Sequence, residues 1–92
     1  IDGLRVLIYD NDPSLLTSNI VAGNATTNVY DAANSNDALM YRIFNSAVPT
    51  GTATGTTRKL WKVRANLTTT LSSGTCWVVY QGHPTNDGTL WF

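Results

Sequence analysis

The clearest signal along the chain is an alternation of side-chain character with period two. Residues Leu4 to Tyr9 place Leu4, Val6 and Ile8 on one side and Arg5, Leu7 and Tyr9 on the other, as a β-strand requires. Asp10-Asn11-Asp12-Pro13-Ser14 follows, where Pro fixes φ and the Asp and Asn side chains bond to nearby backbone, so a turn is predicted. Leu15 to Val21 reads as a loop ending in a short strand, stopped at Gly23-Asn24. Thr27 to Tyr30 predicts another short strand, and Asp31 to Asp37 a polar connection. From Leu39 to Phe44 both faces are largely apolar, which predicts a central strand buried on each side; a short helix over Ala38 to Phe44 is the competing reading.

Pro49 to Thr57 is a small-residue, low-complexity loop. Beyond it Lys59, Trp61, Val63 and Ala65 alternate with Arg58, Leu60, Lys62 and Arg64, predicting a strand with Trp61 and Val63 inward and a cationic outer face. Ser72-Ser73-Gly74 marks a turn before Thr75 to Gln81, the most β-prone run in the chain. His83 to Gly88 is a second long turn, followed by a last strand at Thr89 to Phe92. No helix-length crossover is present to join parallel strands. The pattern therefore predicts an all-β class: one domain over residues 1–92 built as an antiparallel β-sandwich or jelly-roll of about seven short strands.

Composition sharpens this picture. Glu is absent and Gln occurs once, at Gln81, so the residues that solvate helix surfaces are missing. Charged residues make up 13% of the chain, a low share that leaves Thr, Asn, Ser and Gly to cover the surface and suits a secreted or cell-surface location. Formal charge is zero, so no long-range field recruits nucleic acid. The one basic run with an interleaved aromatic, Arg58-Lys59-Leu60-Trp61-Lys62-Val63-Arg64, reads first as the solvated face of a strand. No apolar run approaches the roughly 18 residues of a membrane span. Cys76 stands alone, which excludes an intrachain disulfide and a cysteine-built zinc site. The chain opens at Ile1 rather than Met and reads as a processed product or a piece of something longer.

Several segments taken together resemble a bacterial extracellular β-sandwich module found in large secreted and cell-surface proteins. They are LRVLIYDNDP (4–13), YRIFNSAVP (41–49), TTRKLWKV (56–63) and GTCWVVYQG (74–82). The module typically has Tyr where this chain has Cys76, and it carries further strands before the first segment and a Pro-rich tail after the last, so the chain looks truncated against it. The resemblance implies a secreted, non-catalytic, structural or adhesive role and brings no catalytic or metal residues with it.

Candidate chemistry is sparse. His83 has Ser72, Ser73 and Asp87 near it in sequence, but it precedes Pro in a turn and reads as a solvated loop residue rather than a triad member. Cys76, between Thr75 and Trp77, is expected to face a core or an interface, where a thiol is inert. Asp10 and Asp12 offer hard oxygens of the kind Ca²⁺ accepts, yet turn chemistry explains both without a metal. Trp61, Trp77 and Trp91, with Tyr9, Tyr30, Tyr41 and Tyr80, raise a carbohydrate-binding alternative, since aromatic rings on a sheet face stack on sugars; core filling is the simpler role, with Trp91 the exception to watch. Asn24-Ala25-Thr26 and Asn66-Leu67-Thr68 match the N-glycosylation acceptor pattern. Leu90-Trp91-Phe92 forms an apolar edge with no charge to blunt it, which points to pairing with another copy or a surface partner, up to a filament. The residues expected at a ligand or partner interface are Trp61, Trp91, Phe92, Arg58, Lys62 and Arg64. The expected function is a non-catalytic extracellular structural or adhesive module, without a cofactor, and the alternative is the carbohydrate-binding module of a secreted enzyme.

Overall fold

A computed structural model describes residues 1–42 and 58–88. The predicted last strand, with Trp91 and Phe92, lies outside them, as does the 43–57 segment. Five strands are present among the described residues: β1 Gly3–Tyr9, β2 Ile20–Asn24, β3 Asn36–Tyr41, β4 Lys59–Lys62 and β5 Trp77–His83, with single 3₁₀ turns at Ala32–Asn34 and Thr85–Asp87. All strand pairs are antiparallel, in one sheet ordered β2-β1-β5 and one pair β3-β4. The all-β expectation therefore holds. The count is five strands and one isolated bridge, Tyr30 to Ala65, rather than about seven strands. Contacts divide the chain into two compact units, Ile1–Asp31 with Ala65–Phe92, and Ala32–Arg64.

The first unit is built around β1. Its inward side chains Leu4, Val6 and Ile8 are each 7% exposed and form the buried core, covered by Ala22, Val29, Tyr30, Ala65 and Leu67. Antiparallel pairing with β5 runs unbroken from Gly3 opposite His83 to Tyr9 opposite Trp77. Pairing with β2 matches Val6 to Asn24, Leu7 to Gly23 and Ile8 to Ala22, then slips one residue at a bulge, so that Tyr9 faces Ile20. Gly23 sits at φ +76, and a Cβ there would lie 2.0 Å from the Val6 carbonyl oxygen. Only glycine allows β2 to approach β1 so closely.

Thr27 to Tyr30 does not form the predicted strand. Instead Asn28 uses its side chain to do part of what a ladder would. Its Oδ1 accepts from the Leu4 N–H at 3.0 Å and from the Tyr30 N–H at 3.0 Å, while the Val29 N–H donates to the Leu4 carbonyl at 2.8 Å. The side-chain amide competes for backbone partners that a regular strand would have used.

The second unit is the β3-β4 pair. Asn36 lies opposite Lys62, Asp37 opposite Trp61 and Tyr41 opposite Lys59, with an irregularity between Asp37 and Tyr41. The Asp37 Oδ1 accepts from the Leu39 N–H at 2.8 Å, and Leu39 takes φ 56. That local bond breaks the regular pleat, and Leu39, Met40 and Tyr41 are all exposed. The expected central strand, buried on both faces, is thus a short irregular strand over its described residues, and Phe44 lies outside them. Ser35 is buried and its Oγ accepts from the Arg64 N–H at 2.9 Å. Trp61 is 51% exposed rather than turned inward, and Val63 is exposed as well: alternation fixes which side chains of β4 share a face, not whether that face is covered.

Candidate functional site

The residues singled out by sequence fall in different places. Arg58 and Lys62 are exposed, as expected, beside an equally exposed Trp61. Lys59 reaches the Asp37 carboxylate at 3.5 Å, a surface ion pair that adds little to stability. Arg64 is also exposed and is tied through its backbone to Ser35.

Asp10 and Asp12 act as turn caps. The Asn19 backbone N–H donates to Asp10 Oδ1 at 2.8 Å and its side-chain amide to Oδ2 at 3.2 Å, while the Ser14 N–H donates to Asp12 Oδ1 at 2.9 Å. Hydrogen bonds from Asn19 hold the Asp10 carboxyl below the usual carboxylate range, and those from Ser14 do the same for Asp12. Both carboxylates serve the loop, and among the described residues no cluster of three or more His, Cys, Asp or Glu gathers as a metal site.

The sequon residues differ in their surroundings. Asn24 Oδ1 accepts from the Thr26 N–H, the Thr26 hydroxyl and the Thr27 N–H, at 3.0, 3.0 and 2.7 Å, forming an Asx turn after β2. Asn66 donates its backbone N–H to Val29 at 2.7 Å. Cys76 is exposed rather than facing a core.

His83 is the last residue of β5, not a loop residue, and the antiparallel register brings it beside the start of β1. Its Nδ1 lies 2.5 Å from Asp2 Oδ1, a contact between positions 81 apart in sequence. Sequence reasoning sought a partner at Ser72, Ser73 or Asp87 and missed Asp2, because nothing local to either residue announces the pairing. Asp2, Gly3, Leu4, Arg5, Asn28 and His83 line a cavity of about 230 Å³. Among the described residues the lining has a carboxylate, an imidazole, a guanidinium and an amide, and no hydroxyl or thiol nucleophile.

The register also sorts the sheet into two faces, since directly opposed residues share one. Leu4, Val6 and Ile8 share theirs with Gly82, Tyr80 and Val78; the covering residues shield β1, and Val78 remains exposed at 56%. The opposite, outward face carries Gly3, Arg5, Leu7 and Tyr9 beside His83, Gln81, Val79 and Trp77, extended by Ile20 on β2. Trp77 is 38% exposed there and Val79 and Ile20 are exposed too, while Arg5, Leu7 and Tyr9 are half-buried. The cavity opens at the polar end of this strip and the aromatic pair Tyr9 and Trp77 closes the other. Among the described residues no helix is long and apolar enough to cross a membrane. No protein-family model, characterised protein or solved structure matches the chain.

Proposed function

We propose that this chain is a non-catalytic extracellular β-sandwich module, a structural or adhesive unit that works by contact through the outward face of its three-stranded sheet. The observation that carries the reading is the exposed apolar character of that face, with Trp77, Val79 and Ile20 uncovered beside Leu7 and Tyr9. A half-buried antiparallel sheet ordinarily turns polar residues to solvent, so apolar side chains on the open side mark a contact surface. The low charge supports the same reading, as does a His83–Asp2 cavity whose described lining carries no nucleophile. So does the likeness of four segments to a bacterial surface module.

Beads coated with the purified chain test it. Wild-type beads are expected to adhere to one another or to a cell-surface extract, and Val79→Asp beads to lose that adhesion with an unchanged circular dichroism spectrum. Adhesion that is absent in the wild type, or that survives both Val79→Asp and Trp77→Asp, would overturn the reading. So would turnover of ester or glycoside substrates abolished in His83→Ala.

A further inference from the structure

The outward face is more than apolar, because its cross-strand pairs change character in order: Gly3 with His83, Arg5 with Gln81, Leu7 with Val79, Tyr9 with Trp77. Seven residues of strand give the strip a length of roughly 20 Å, and two strands give it a core width of only about 5 Å. A long, narrow strip fits a chain-like ligand better than a globular partner.

Its polar end is concave because residue 3 has no side chain. A Cβ on Gly3 would stand 3.2 Å from the His83 Cβ and 3.8 Å from the Asn28 Cγ, so it would fill the cradle between them. The groups around that cradle are both donors and acceptors. Asn28 Nδ2 donates to the Asp2 carbonyl at 3.3 Å, and His83 engages the Asp2 carboxylate through Nδ1. Arg5 Nη1 meets Gln81 Oε1 at 3.5 Å, and Arg5 Nε is buried with no hydrogen-bond partner. A guanidinium has five N–H donors, so this one keeps donor capacity beyond the Gln81 contact, and the unpaired buried Nε–H is costly. The formal charges of Arg5 and Asp2 cancel, which favours an uncharged ligand over an ionic one. At the far end Tyr9 and Trp77 stand directly opposite each other.

We infer that this strip binds a neutral oligosaccharide. A pyranose ring has an apolar C–H face and a rim of hydroxyls that both donate and accept. The Tyr9 and Trp77 rings pack against the C–H face, and the Arg5, Asn28, His83 and Asp2 groups take the hydroxyls of a sugar seated over Gly3. This assignment rests on the outward face being the contact surface and names what it contacts. Of the aromatic residues that raised the carbohydrate alternative in the sequence, it assigns the role to Trp77 and Tyr9.

Calorimetry and tryptophan fluorescence on the whole chain test it, with cellohexaose, maltohexaose and laminarihexaose as probes. One of the three is expected to bind. Trp77→Ala and Arg5→Met are each expected to weaken that binding at least about tenfold, as loss of a central anchor does, while Trp61→Ala leaves it unchanged. Trp77→Tyr, which keeps a ring on the strand, retains binding and covers the case in which Trp77→Ala fails to fold. Failure of all three probes to bind overturns the inference, and so does binding that survives both Trp77→Ala and Arg5→Met. Bead adhesion that depends on Val79 but is not competed by the hexasaccharides overturns the ligand and leaves the contact surface standing.

Discussion

Replacing Gly23 by Ala tests the packing of β2 on the core strand. At φ +76 a residue with a side chain is in the left-handed region, which costs about 1–2 kcal/mol for an L-residue other than glycine. The added Cβ would also stand 2.0 Å from the Val6 carbonyl oxygen and 2.9 Å from the Val6 carbonyl carbon. Both are backbone atoms of the strand that carries the core, so no rotamer change relieves the overlap. The strands must separate there, and losing two ladder bonds at roughly 0.5–1.5 kcal/mol each brings the total to about 2–5 kcal/mol. A domain of this length holds roughly 5–14 kcal/mol in all, so the variant loses a large share of its stability.

Gly74 supplies the control, since it lies at φ +136 with nothing within 4 Å of a built Cβ. Gly74→Ala is therefore expected to show the conformational cost alone. Urea unfolding followed by tryptophan fluorescence measures both. In thermal unfolding Gly23→Ala should fall by roughly 10 °C or more, at the usual 4–8 °C per kcal/mol for domains of this size. A loss for Gly23→Ala no larger than that for Gly74→Ala would refute the close approach of β2 to β1.

Other positions give independent checks. Ile8→Ala, at a core position 7% exposed, should cost about 2–5 kcal/mol in denaturant unfolding, whereas Val78→Ala, opposite Ile8 on β5 but 56% exposed, should cost less than about 1 kcal/mol. Asn28→Ala strands the Leu4 and Tyr30 N–H groups and should cost about 1–3 kcal/mol, with faster amide hydrogen exchange at both residues. The Asp10 carboxyl should titrate by NMR below its ordinary value of 3.8, and Asn19→Ala, which removes the side-chain bond and keeps the larger backbone one, should bring it only part of the way back up. The folded-state value of Asp10 is the lowered one, so its contribution to the turn is present above 3.8 and is lost as pH falls through the folded value. An Asp10 midpoint at or above 3.8 would contradict the Asn19 hydrogen bonds.

The strand β1 was legible because alternation over Leu4 to Tyr9 needs only one strand's own periodicity, and the structure buries Leu4, Val6 and Ile8 as that pattern requires. The turn at Asp10 to Ser14 was legible for a similar reason, since its side chains bond backbone two residues away. The Thr27 to Tyr30 strand failed on a local competition, in which the Asn28 amide took backbone partners that β-propensity alone cannot anticipate. The inward placement of Trp61 failed differently. Alternation says which side chains share a face of β4, and says nothing of whether a second layer covers that face.

The candidate site was illegible for the same physical reason on a larger scale. Asp2 and His83 lie 81 positions apart, and the whole polar-to-aromatic strip exists only because β5 pairs with β1 in one register. A slip of one residue would send Trp77 and Val79 to the inner face and bring Val78 and Tyr80 outward. Sequence thus determined the β class, the first strand, its core face and its turn, because those follow from spacing within a few residues. Tertiary structure alone decided which strands lie side by side, what covers each face, and hence that Gly3, Arg5, Tyr9, Trp77 and His83 share one surface.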